Sequence, residues 1–135
     1  MAQTQKPTQL GYGELGRLVA GEAATALKSI VGLTGACTAA EASTFANPGG
    51  ATKLAANGFT LVDADTVAAS TTTVTDDTAE LDHVFTASGS QSVSGFACEN
   101  DDDVVYAECC FNAAVACENG DTLTCELKMQ FKLGA

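Results

Sequence analysis

The sequence predicts a mainly β domain: an antiparallel β-sandwich or jelly-roll-like module with one N-terminal helix and an extended N-terminal arm. Three observations predict it. Between residues 122 and 133 every second residue is apolar. Leu123, Cys125, Leu127, Met129, Phe131 and Leu133 share one side, and Thr122, Thr124, Glu126, Lys128, Gln130 and Lys132 share the other. Successive strand side chains point to opposite faces, so this is a long half-buried strand with one wet face. Asn119, Gly120 and Asp121 just ahead of it are the residues a tight turn requires. Finally, short β-favouring runs separated by turn signals recur from Phe59 onward, the spacing of a sandwich or jelly roll.

Residues 1–11 are polar, with Pro7 and Gly11, and read as an arm expected to order against a neighbouring subunit. Residues 12–135 then form a single β-rich domain. Residues 12–28 carry Leu15, Leu18, Val19, Ala23, Ala26 and Leu27 at the spacing of an amphipathic helix. Gly13, Gly16 and Gly21 weaken that helix by up to about 1 kcal/mol each relative to Ala. Residues 29–33 suit a short strand, and residues 36–58, broken at Asn47-Pro48-Gly49-Gly50, suit a long loop. Residues 66–75 are dense in Thr, Ser and Val, which favours a pleated, half-exposed surface. After the Asp76-Asp77 turn, residues 78–86 place Ala79, Leu81, His83 and Phe85 on one face. Residues 91–98, an acidic turn at 100–103, and residues 104–111 and 113–117 lead to the final strand. That last strand is expected to be central, with Leu123, Leu127, Met129 and Phe131 buried.

At 135 residues the chain suits one domain, burying roughly two thirds of its unfolded surface. Aromatics make up only 6% and Trp is absent, so the core is thin and favours staples or oligomerisation. Net charge is -11, from 17 acidic and 6 basic residues. Phosphate-backbone binding needs clustered Lys and Arg, so no nucleic-acid partner is expected. An anionic membrane surface is disfavoured for the same reason. No run reaches the ~18 apolar residues of a membrane span. The first residues show no secretory pattern, which points to synthesis and assembly in a cytoplasm.

Chemistry has few candidates. Asp101, Asp102 and Asp103, with Glu99 and Asn100, lack the ligand spacing of a calcium loop and read as a solvated turn. His83 has no second histidine and no obvious nucleophile beside it, so a core histidine is favoured over a catalyst. Gly49-Gly50 is not followed by the residues of a phosphate-binding loop. Neither an enzymatic activity nor a cofactor is expected. The six cysteines, Cys37, Cys98, Cys109, Cys110, Cys117 and Cys125, include no CxxC pair and do not suit a zinc site. They are candidates for disulfides or for buried thiols acting as small hydrophobes. Adjacent strand residues face opposite ways, so Cys109 joining Val105, Ala107 and Phe111 inside would turn Cys110 outward. Cys110 and loop-borne Cys37 are therefore the expected inter-subunit linkers.

The order of these segments resembles a family of small tailed-bacteriophage and prophage virion proteins. The matching residues are Leu-Gly-Arg-Leu-Val-Ala-Gly-Glu at 15–22 and Val-Gly-Leu-Thr-Gly at 31–35. They continue with Ser-Thr-Thr-Thr-Val-Thr-Asp-Asp-Thr at 70–78 and the alternating strand that opens Gly-Asp-Thr-Leu-Thr at 120. Where many relatives read Thr-Glu-Ala-Gly-Leu-Phe, this chain has Ser94-Gly95-Phe96-Ala97-Cys98, and its six cysteines exceed the usual pattern. The resemblance implies a non-enzymatic virion component: a capsid decoration or cement protein, or else a tail, neck or baseplate protein. Its partners would be itself, as a homo-oligomer such as a trimer, and other virion proteins such as the major capsid protein. Such a particle assembles in the host cytoplasm and is then extracellular, where disulfides persist. An extracellular filament subunit and a small disulfide-stapled binding module are the rival classes.

Overall fold

The computed structural model describes residues 2–132. In chain order the elements are β1 (Gln3–Pro7), α1 (Gln9–Val19), β2 (Ser29–Thr34), β3 (Thr52–Lys53), β4 (Val62–Asp63) and β5 (Thr66–Ser70). The long strands follow: β6 (Thr78–Thr86), β7 (Gln91–Glu99), β8 (Val105–Cys117) and β9 (Thr122–Gln130). Two antiparallel sheets form. The larger runs β1-β8-β7-β2-β3, with β4 also paired to β2, and the smaller runs β5-β6-β9. The expected mainly β architecture with one helix near the N-terminus is the one the chain adopts.

The sheets meet through aromatic and aliphatic side chains. Phe85 of β6 stacks on Phe96 of β7 with centroids 5.1 Å apart, and Phe59, from the segment before β4, stacks on Phe85 at 5.6 Å. Ile30, Leu81, Cys98, Ala107, Cys125 and Leu127 are buried around them. Removing each large apolar side chain from water contributes roughly 1.5–3 kcal/mol, which is how so few aromatics sustain a core. The other face of the larger sheet has its own apolar layer. Val31, Leu33, Ala97 and Val105 pack there with Ala51, Phe45 and Cys37. Covered on both sides, β7 is buried from Val93 to Glu99 and β8 from Val105 to Cys110.

Residues 2–11 differ from the expected arm. They are extended only through Pro7, and β1 lies antiparallel on β8 of the same chain, Gln3 opposite Phe111 and Pro7 opposite Ala107. The helix starts at Gln9 because Thr8, fully buried, caps it: its hydroxyl accepts from the Gly11 amide at 2.9 Å and donates to the Val105 carbonyl. A side chain at position 11 would put Cβ 2.7 Å from Tyr106 Cα, so only glycine lets the helix lie this close to β8. The helix ends at Val19, with Gly21 at a φ of 73°, the left-handed stop that glycine adopts freely. The span expected to continue to residue 28 is therefore shorter. Of its apolar stripe Leu15 and Leu27 reach the core, while Val19 is exposed.

Two further strands depart from expectation. β5 stops at Ser70, and the Thr-rich residues beyond it wrap around the Asp77 carboxylate, which accepts from the amides of Thr72, Thr73 and Val74. β9 is an edge strand, pairing with β6 along its whole length, because the smaller sheet has only three strands. Leu127 and Cys125 are buried, Leu123 and Met129 are half-buried, and Phe131, past the strand's end, is 48% exposed. Leu133 lies outside the described residues.

Candidate functional site

The six cysteines are the sequence's candidate site, and the structure divides them. Cys37 and Cys110 form a disulfide with Cα atoms 5.4 Å apart, inside the range such bonds require. Cys98, Cys109, Cys117 and Cys125 are free and buried. Cys110 does face away from Cys109. The face it occupies is not solvent, however, because residues 37–51 of the same chain cover it. The expected inter-subunit link is thus replaced by an intrachain one. Val105 also leaves the inner face, since a register shift between Cys98 and Glu99 places it in the outer layer.

The disulfide is one of several fastenings on that layer. Glu108, two residues along β8 and on the same side, is only 1% exposed. Its Oε1 accepts from the Ala40 amide at 2.6 Å and from the Ser43 hydroxyl at 2.5 Å. Ser43 Oγ in turn accepts from the Gly49 amide at 3.1 Å, and Thr38 N donates to Gly49 O at 2.8 Å. The Gln9 amide donates to Glu41 O, tying in the start of α1. At the far end Lys53 Nζ reaches Glu99 Oε2 at 2.5 Å and sits 3.2 Å from the Phe45 ring centroid. Burial pushes the Glu99 carboxyl upward, while the hydrogen bond and charge of Lys53 pull it back.

The acidic turn is therefore not uniformly solvated. Glu99 points into the protein, and Asn100 is 4% exposed, its Oδ1 accepting from the amides of Asp102 and Val104 and its Nδ2 donating to Thr25 O. Asp101 pairs with Lys28 at 3.0 Å, and Asp102 accepts from the Thr25 hydroxyl. These carboxylates diverge, each toward a different partner. Among the described residues no group of three or more His, Cys, Asp or Glu side chains is placed to hold a metal ion.

Three free thiols look into the space between the sheets. Cys98 opposite Ala107 and Phe96 opposite Cys109 put Cys98 and Cys109 on one face of the larger sheet, toward Cys125 of β9. They border a cavity of about 390 Å³ with Phe96, Phe111 and Leu123. Burial raises the Cys109 thiol to about 11, and burial reinforced by Cys109 raises Cys125 to about 12. Cys98 is driven upward as well, by burial above all. Thiols held protonated are poor nucleophiles and poor metal ligands, and behave as small hydrophobes.

The register sets Cys125 directly opposite His83, a juxtaposition that sequence reasoning did not find. Only the pairing of two strands 42 positions apart reveals it. The imidazole lies edge-on to Phe85 at 4.6 Å, its Nδ1 3.0 Å from Asp65 Oδ2. The upward shift of Cys125 runs opposite to the activation a Cys–His nucleophile needs. The chain matches no protein-family model, and neither a curated protein nor a solved structure shows significant similarity to it.

Proposed function

We propose that this chain is a non-enzymatic structural component of a phage virion, a capsid decoration protein that stabilises the particle through subunit contacts. The observation that carries the reading is the strapped outer layer. The disulfide and two buried acids, Glu99 and Glu108, all serve to hold residues 37–53 against the large sheet. Buried charge spent on fastening a surface layer suits a rigid scaffold that must persist outside the cell. The segment order that resembles tailed-phage virion proteins supplies the particle. Its partners in this reading are further copies of itself and the major capsid protein, and a tail, neck or baseplate position is the alternative placement. A small stapled binding module is the second reading, favoured because Cys37 and Cys110 pair within one chain and need no partner subunit.

The test is mass spectrometry of density-purified particles from cells carrying the gene, with immunogold labelling to locate the subunit. The expected result is the chain in stoichiometric amount on the head. Absence from washed particles overturns the virion reading, and labelling confined to the tail moves the protein to the alternative position.

A further inference from the structure

We propose that the free edge of β9 is a self-association site, at which a second copy of this chain adds its own β9 antiparallel in a register centred on Leu127. β9 ends the smaller sheet, and among the described residues it pairs only with β6. An edge of this kind offers a row of unpaired backbone donors and acceptors to another strand. Folds normally blunt such edges with short strands, bulges, proline or inward-pointing charge. The other edges here are shorter: β3 and β4 have two residues each, β5 has five, and β1 has five and ends at Pro7. β9 has nine residues in unbroken register and no proline, and its inward side holds only Leu123, Cys125, Leu127 and Met129.

The space beside this edge is also unfilled. A cavity of about 390 Å³ and another of about 250 Å³ lie along β9, and Leu127 borders both. Their far walls come from β1 and α1, so the sandwich gapes along the length of the strand.

The residue pattern selects both the occupant and the register. Directly opposed residues of an antiparallel pair share a face, so any register with an odd offset would set the apolar side of one copy against the wet side of the other. Centring on Leu127 places Glu126 opposite Lys128 of the second copy, and Lys128 opposite its Glu126. Thr124 meets Gln130 on the same wet face. On the inner face Leu127 meets Leu127, Cys125 meets Met129, and Leu123 covers the exposed Phe131. Sliding by one residue pair either way brings Glu126 against Glu126 or Lys128 against Lys128, which is unfavourable. The strand is thus complementary to itself in charge and in polarity, as a two-fold interface demands. The proposal rests on the assembly reading only for the expectation that subunits self-associate.

The experiment is sedimentation velocity of the purified full chain over a concentration series at about 0.15 M salt, where the -11 charge is screened beyond roughly 8 Å. The variants are E126K, K128E and the double swap E126K/K128E. The wild type is expected to dimerise, each single swap to weaken the dimer by about tenfold or more, and the double swap to restore it. Within the chain Glu126 stands opposite Asp82 and contacts Lys128 at 2.5 Å, so E126K gains one intrachain attraction and loses another, and a denaturant midpoint close to the wild type's separates loss of dimer from misfolding. A monomer at every concentration, or a dimer indifferent to all three variants, overturns the proposal. Neither result decides the virion reading, which rests on detection in particles.

Discussion

Lys53 Nζ lies 2.5 Å from Glu99 Oε2, and this ion pair joins a two-residue edge strand to the end of the buried strand β7. The Glu99 side chain is 1% exposed, so removing its partner strands a desolvated carboxylate. Lys53→Met should lower stability by about 3–5 kcal/mol, and Lys53→Met with Glu99→Gln should recover part of it. The pH dependence carries a signature. Glu99 has a folded pKa above its unfolded one, so it binds more protons when folded, and stability falls as pH rises through that window. Without Lys53 the fall should steepen. Urea melts between pH 4 and 8 read both effects, and superimposable curves would show that the pair contributes nothing.

The disulfide closes a separation of 73 residues. Loop-closure entropy assigns a crosslink of that span about 4 kcal/mol. Cys37→Ser with Cys110→Ser, or reduction of the native protein, should therefore lower the melting midpoint sharply while leaving the β signature intact below it. Thiol titration checks the pairing independently. Cys98, Cys109 and Cys125 are held protonated by burial and should react slowly in the native state. Four thiols should appear in denaturant, and six after reduction. Six without reductant would remove the crosslink from the account.

Asp77 fastens the turn between β5 and β6. Hydrogen bonds from the Gln130 side chain and the Thr72 amide, chiefly, hold its carboxyl far below the usual carboxylate range. A depressed folded pKa gives stability that is present above the unfolded value of about 3.9 and is lost as pH falls toward the folded one. Acid melts should show stability draining away below about pH 4. In Asp77→Asn that slope should flatten, with a lower melting temperature at neutral pH. An unchanged acid slope would mean that another carboxylate governs it.

How far these features could be read in the sequence depends on the environment of each strand. β6 and β9 were legible because each has one wet face, so polar and apolar residues alternate. β8 is covered on both sides through Cys110, and its residues alternate between two interiors rather than between core and water. Reading Cys110 as outward was sound geometry. What it lacked was knowledge that residues 37–51 return to cover that face, a long-range contact with no local signal. Glu99 and Glu108 were invisible for a related reason, since acidic side chains are usually solvated, and only tertiary placement buries them. The helix start moved from residue 12 to residue 9 because Thr8, a good N-cap, outweighed the polarity of the residues after it.

Three apolar side chains near the gap between the sheets should rank by how their sites respond to truncation. Phe85 is 1% exposed and is clasped between Phe59 and Phe96, rings that cannot close over its absence, so Phe85→Ala should cost about 3–5 kcal/mol. Leu127 is also buried, at 8% exposed, but it stands between the two cavities beside β9. Its removal merges existing spaces that water can enter, so less of the loss is a sealed void, and Leu127→Ala should fall near the lower end of the usual range, about 2 kcal/mol. Phe131 is half exposed past the strand's end, and Phe131→Ala should change monomer stability by no more than about 0.5 kcal/mol. Denaturant midpoints of the three variants, taken at a concentration low enough to keep the chain monomeric, give the order directly. If Leu127→Ala proved as costly as Phe85→Ala, the β9 side of the sandwich would have to be closed in solution, and the open edge along it would be lost as a place for another strand.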